Sequence, residues 1–466
     1  MTWRGFVRDG VLPGALAGLA GGVVSGLALS RVGALPATAS LVHSDSAVVD
    51  FVFYAAAAAI IGGGFGLLVW HQHTRAGETL FWGLTYGALW WFVGPLTLMP
   101  LLLGGFLAWD LHSAQEAFAG LLGYLLYGAT AGLALAALRS QRRALSPRVY
   151  GGAVVRGALA GLIAGWLLVS TTGQPVSWSS GLLVGIVFAL LYPIPHDGAG
   201  PGLIRGTVLG FVSWVAGPLS LMPLLAGDRL AWSLDDARAA FAALLGLLLL
   251  GALCAVWYRW LDGLVRLLFA EVRPSYEQEG AGIEGLRAVG RGALAGLVGG
   301  IFFTLVIMRI GGLGAVGQII GSTSMGSGLF VQFVVSETIG VTYGLLFRRQ
   351  SYDVGSGLGW GLAYGFFWWV LGPLTLTPLL LGGRPQWTVE SAAALFPYLI
   401  GHLAYGAALG IVFHLLEARQ NPWWIPRTRA EAARVARHRE QLLTSAPALW
   451  ALIVMIALVI PVLLGL

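Results

Sequence analysis

The chain has no lysine, one cysteine and few charges, which make up only 10% of its 466 residues. A soluble domain carries about 25% charged residues, so an ordinary water-facing surface is excluded. The single Cys254 rules out an internal disulfide and any metal site built from several cysteines. No histidines are spaced as paired haem ligands or as a set of three metal ligands. A phosphate-binding loop, a nucleophile elbow and a metalloprotease helix are all missing. No cofactor is therefore expected and no catalytic, cofactor-binding or metal residue is assigned. The chain is not expected to be an enzyme. Its all-arginine basic set, with abundant Ala, Gly and Leu, matches the usage of a GC-rich bacterial genome.

Apolar residues fill the space left by charge, at 57% of the chain and a mean hydropathy of +0.79. Long apolar runs recur throughout and predict an all-α, polytopic integral membrane protein. Spans are expected near 11–30, 50–70, 79–103, 115–137, 153–171, 179–195, 204–226, 237–258, 290–312, 326–347, 357–381, 391–415 and 447–465. That makes about thirteen, the short 179–195 being the least regular. Glycine, with 69 residues, sits in small-xxx-small spacing that lets helix backbones approach closely in lipid.

The runs are organised by repetition. Trp82-Gly83, Tyr86-Gly87, Trp90-Trp91, Gly94-Pro95-Leu96-Thr97-Leu98 and Pro100 return 278 positions later as Trp360-Gly361, Tyr364-Gly365, Trp368-Trp369, Gly372-Pro373-Leu374-Thr375-Leu376 and Pro378. A divergent middle copy keeps Gly206, Gly210, Trp214, Gly217-Pro218-Leu219-Ser220-Leu221 and Pro223. It is shorter between its first two helices, and Leu247 and Leu250 replace Tyr124 and Tyr127. The expected organisation is repeat one over 1–148, repeat two over 149–270, a cytoplasmic linker over 271–289 and repeat three over 290–418. A cytoplasmic basic amphipathic segment, 419–446, and a C-terminal helix, 447–466, follow. Four helices per repeat make the three modules parallel rather than inverted.

Charge sets the expected orientation. Arg4, Arg8, Arg75, Arg139, Arg142, Arg143, Arg148, Arg156, Arg205, Arg259, Arg266, Arg348 and Arg349 fall on one side. Asp45, Asp110, Glu116, Asp228, Asp235, Asp236 and Glu390 fall on the other, together with Arg31, Arg229, Arg238 and Arg384. Arginine excess marks the cytoplasmic face. A bacterial inner-membrane protein with a cytoplasmic N-terminus, an outer C-terminus and a retained first helix is expected. The stretch around Arg434, Arg437 and Arg439 is expected to lie against anionic headgroups or, alternatively, against a partner protein. His71 and His73 are expected in a solvated loop. The 271–289 linker carries Glu271, Arg273, Glu277 and Glu279.

In each copy the third helix meets Gly-Pro and then a second proline. Proline removes a helix hydrogen bond and clashes with the preceding turn, and in lipid the freed carbonyls need new donors. Thr97, Ser220 and Thr375, two positions past the first proline, are the expected donors. A kink beside Trp91, Trp214 and Trp369 follows. Its purpose is either to pack the modules, to line a cavity with exposed carbonyls, or to seat an interfacial aromatic belt.

Few polar side chains fall within the spans. Glu337 is the most pointed, since an ionisable group in hydrocarbon needs a cavity or a partner. Its counterpart in the first copy is Ala59. The expectations are a titrating carboxylate or a neutral, hydrogen-bonded acid that fixes one helix pair. His402 and Tyr405, three apart, share a helix face, and Tyr127 is the earlier counterpart of Tyr405. His402 reads as a packed, satisfied side chain ahead of a ligand.

The run Arg291-Gly292-Ala293-Leu294-Ala295-Gly296, with Gly401-His402 and Tyr405-Gly406, resembles small four-helix bacterial inner-membrane proteins, mostly uncharacterised. The resemblance covers one module at a time and implies a triplicated version with an added helix. It carries no chemistry. Two functions stay open: a non-catalytic structural or accessory subunit of a membrane complex, or a transporter or channel for a small solute, lipid or ion with a path at the repeat interfaces. The bilayer is the expected partner, with other membrane-protein subunits possible. Nucleic acid is not expected, because the arginines line a membrane edge.

Overall fold

The computed structural model describes residues 7–35, 46–70, 75–139, 146–173, 178–194, 198–269, 281–419 and 427–466. Arg4, Asp45, His71, His73, Arg142, Arg143, Glu271, Arg273, Glu277 and Glu279 lie outside the described residues. Within them the chain is helical, with no strand, and eleven helices are long and apolar enough to cross a membrane. The protein is an all-α, polytopic membrane protein. Large apolar side chains stand exposed along these helices, with Ile60 at 78% and Leu294 at 60%. Lipid is the solvent in which that exposure costs nothing.

Two expected spans are not among the eleven. The helix Trp178–Leu191 has 14 residues, or ~21 Å at 1.5 Å per residue, short of a hydrocarbon core of about 30 Å. The stretch Ala76–Leu102 is long enough, but Trp, Tyr, Gly, Thr and Pro dilute its aliphatic content.

The chain forms two compact units. The first gathers Met1–Tyr150, Phe211–Leu244 and Leu443–Leu466, and the second Gly151–Gly210 and Leu245–Leu442. The segment 149–270 is thus divided between them.

In the first unit, α1 (Leu12–Val32), α2 (Ala47–Leu68), α3 (Ala76–Val93) and α4 (Phe118–Arg139) pack as α1 on α2, α1 on α4 and α3 on α4. The seams are glycine against backbone. A methyl group at Gly83 would collide with the Gly128 carbonyl, and one at Gly14 with that of Gly62. Tyr127 lies buried at the α1–α4 seam and donates to the Ala58 carbonyl at 2.9 Å. The C-terminal apolar helix Ala446–Val454, which continues to Leu464, packs along α3. Arg238 Nε donates to its Leu463 carbonyl at 2.9 Å.

In the second unit, α5 (Pro147–Thr172) meets α6 (Trp178–Leu191) through Gly157 and Gly185. The first half of α7 (Ala199–Ala216) meets α8 (Phe241–Phe269) through Gly206 and Gly251. Helices α9 (Ala281–Arg309), α10 (Met325–Phe347), α11 (Val354–Leu371) and α12 (Phe396–Ala418) pack as α9 on α10, α9 on α12 and α11 on α12. Residues 281–289, expected in a linker, continue α9 as helix, held where Glu284 pairs with Arg349. The basic segment forms α13 (Arg427–Thr444), where the Arg434 carbonyl accepts from the Tyr352 hydroxyl at 2.6 Å.

Candidate functional site: the Gly-Pro turns and polar α10

At each Gly-Pro the α-helix gives way to a widened five-residue turn and then resumes for one turn. The turns are Gly94–Leu98, Gly217–Leu221 and Gly372–Leu376. The cause is proline's missing N–H and its ring, which a turn with i to i−5 bonding accommodates. Thr97 Oγ1 donates to the Phe92 carbonyl at 2.9 Å, Ser220 Oγ to Val215 at 2.7 Å and Thr375 Oγ1 to Val370 at 2.8 Å. These hydroxyls satisfy carbonyls five residues back.

Each hydroxyl also accepts. Trp109 Nε1 lies 3.0 Å from Thr97 Oγ1, Trp232 Nε1 3.0 Å from Ser220 Oγ, and Trp387 Nε1 2.9 Å from Thr375 Oγ1. The returning loop adds a backbone bond, from Ala108, Ala231 and Gln386 N–H to the carbonyls of Leu96, Leu219 and Leu374. Beyond the second proline, Pro100, Pro223 and Pro378 carbonyls accept from Gly105, Asp228 and Gly383. Trp91, Trp214 and Trp369 are buried and donate to the carbonyls of Ala117, Ala240 and Leu395 at 2.8–2.9 Å, where the next long helix begins. The network gives the carbonyls of Phe92, Val215 and Val370 a side-chain donor each. It works as a clasp between a broken helix and its return loop.

The short helix after each clasp is capped by Asp110, Ser233 or Thr388. The Ser113 hydroxyl and N–H hold the Asp110 carboxyl below its usual range.

His402 and Tyr405 do not form one site. His402 is buried, its Nδ1–H donates to the Tyr398 carbonyl at 2.8 Å, and its ring meets Phe303 edge-on, with centroids 4.8 Å apart. The donating nitrogen fixes the tautomer, and Nε2 lies beside Gly372. Tyr124, its first-copy counterpart, places its hydroxyl beside Gly94. Tyr405 points elsewhere and donates to the Ser336 carbonyl at 2.6 Å.

Ser336 also accepts from Gln332 at 2.9 Å, and Thr342 exchanges a 2.7 Å bond with Tyr364, so α10 carries a polar stripe. Glu337 is half-buried beside it. Its Oε1 is enclosed and has no hydrogen-bond partner among the described residues. The expected hydrogen-bonded acid fixing a helix pair is therefore not what the packing produces. A seam of glycines already packs α10 on α9, and among the described residues no donor reaches the carboxyl. No group of three His, Cys, Asp or Glu is placed to hold a metal among the described residues.

Sequence reading missed Asp262, which is 3% exposed on α8. Arg156 and Arg266 each reach it at 2.9 Å and Arg259 at 3.4 Å. Arg156 also lies over the Tyr258 ring at 5.2 Å and donates to the Pro193 carbonyl at 3.2 Å. Arginines three before and four after Asp262 were the available signal, but the Arg156 partner is visible only in the fold. Comparison with family models, curated proteins and solved structures finds no match for this chain.

Proposed function

We propose that the protein is a non-catalytic structural or accessory component of a membrane complex. In this reading it crosses a bacterial inner membrane thirteen times as three parallel four-helix repeats plus a C-terminal helix. The observation that carries the proposal is the clasp at the three Gly-Pro turns. The hydroxyls of Thr97, Ser220 and Thr375 and the carbonyls of Phe92, Val215 and Val370 are engaged within the fold and not held open for a ligand. Together with backbone-tight glycine seams, this describes rigid packing with an apolar flank for lipid or other subunits.

Orientation follows the arginine bias, with the N-terminus cytoplasmic and the C-terminus outside. The bond from Arg238 to Leu463 supports it, because it joins the end of the last helix to the side expected to be external. In α13, exposed Val435 and Leu442 among arginines suit the headgroup layer.

A second reading rests on Glu337. An enclosed, unpartnered carboxyl oxygen within a span is what a transporter uses to bind a cation or proton. The deciding experiment is purification from the native membrane in mild detergent, with partner identification by mass spectrometry and a visible spectrum of the same sample. Stoichiometric copurifying subunits are expected. A lone, colourless protein whose pH-dependent flux in vesicles disappears in Glu337→Gln would replace the accessory reading with transport.

A further inference from the structure

The first unit contains an apolar cleft of about 430 Å³ between α1, α4 and the stretch that carries the second Gly-Pro turn. Along α1 the wall runs from Val24 to Arg31. Along the opposite side it runs from Phe211 to Leu224, ~20 Å at 1.5 Å per residue. One bilayer leaflet contributes roughly 15 Å of the ~30 Å hydrocarbon core. The cleft therefore has the length of a single acyl chain in its leaflet.

Its polar lining is nearly silent. Trp232 donates to Ser220, and Ser220 to the Val215 carbonyl, so neither reaches for a ligand. Arg31 differs. It lines the cleft in the last turn of α1, is exposed, and makes no hydrogen bond or ion pair among the described residues. Arg229, exposed and likewise uncommitted, adjoins Leu230 of the same wall. A hydrated solute gains nothing from a dry hydrocarbon wall, whereas an acyl chain does. A free guanidinium at the interfacial end matches a phosphodiester in charge and hydrogen-bond geometry.

We propose that this cleft holds one acyl chain of an anionic glycerophospholipid whose phosphate rests on Arg31, with Arg229 adding charge at the mouth. The site would be occupied whether the protein serves as an accessory subunit or as a transporter.

The full chain is exchanged into nanodiscs holding equal phosphatidylglycerol and phosphatidylcholine, released into detergent, and the retained lipids are counted by native mass spectrometry. Wild type is expected to keep one phosphatidylglycerol in preference to phosphatidylcholine. Arg31→Gln should reduce that preference about fivefold, since one arginine near the surface is worth about 1 kcal/mol and 1.4 kcal/mol is tenfold. Adding Arg229→Gln should reduce it further while a chain is still retained. Leu27→Trp, at an exposed position of the cleft lining, should expel both lipids. Equal retention of the two lipids by wild type would overturn the headgroup assignment. Undiminished lipid in a folded Leu27→Trp protein would overturn the cleft itself.

Discussion

Gly62 on α2 and Gly340 on α10 stand 278 positions apart and meet the same surroundings. Gly62 faces the backbone of Gly14 and Gly18, and Gly340 that of Gly292 and Gly296. Tyr127 donates to Ala58 and Tyr405 to Ser336, again at matched positions. The side chains between these contacts diverge. Helix α2 carries Tyr54, bonded to Ser25 at 3.0 Å, and plain Ala59. Helix α10 carries Gln332, bonded to Ser336, and Glu337 with no partner at Oε1. The same backbone frame is thus built with and without a carboxylate. Glu337 is an addition to that frame, not a part of it.

The strongest way to break the comparison is at the shared contacts. Gly62→Leu and Gly340→Leu should each cost more than ~4 kcal/mol, because the new side chain meets backbone that cannot move aside. Both variants should lose the monodisperse peak in detergent size-exclusion chromatography. If one survives while the other collapses, the two frames are not equivalent.

The next largest effect separates the helices. Glu337→Leu should raise thermal stability by about 1–3 kcal/mol, the cost of an enclosed polar group without a partner. Ala59→Glu should lower it by a similar amount, because an ionisable side chain within a membrane span is costly. Denaturation of both in one detergent reads the pair directly. A loss in Glu337→Leu would mean that a bound ion, a water or another subunit engages the carboxyl.

What could be read in advance was local. The hydroxyls at Thr97, Ser220 and Thr375 were legible because proline dictates which carbonyls lose donors and a side chain two positions on reaches them. The tryptophans that complete the clasp, twelve positions later, were not. Nothing in apolar periodicity says where a return loop places an indole. The membrane-helix class was legible from hydropathy, but the span number was not. Of thirteen expected spans, eleven helices among the described residues are long and apolar enough to cross a membrane, Trp178–Leu191 being too short and Ala76–Leu102 too diluted by aromatics, glycines and prolines. The arginines around Asp262 were assigned to a membrane edge, but their convergence needed Arg156 and α8 to meet in three dimensions. Glu337 stood out by chemistry alone. Its want of a partner is a property of packing.

The smallest expected effect tests the helix starts that precede the Gly-Pro turns. On α3 the N-cap is Arg75, whose N–H is accepted by Glu78 at 3.1 Å. On α11 the roles reverse: Asp353 accepts from the Ser356 N–H at 2.7 Å, and Ser356 Oγ accepts from the Asp353 N–H at 3.1 Å. That Ser356 N–H holds the Asp353 carboxyl below its usual range, with the Ser356 hydroxyl and nearby histidines adding to it. A carboxyl with a depressed folded-state pKa gives its full stabilisation above the unfolded value of about 3.9. It loses that stabilisation as pH falls through the lower folded value. Asp353→Ala should therefore cost about 1 kcal/mol at pH 7, and the gap to wild type should shrink as the pH drops below about 4. Asp353→Asn, which caps without titrating, should stay within a few tenths of a kcal/mol of wild type at neutral pH and show no such narrowing against Asp353→Ala. A gap between Asp353→Ala and wild type that is flat from pH 7 to pH 3 would mean that the carboxylate does not cap α11. The reversal of roles between the two helix starts would then carry no energetic difference.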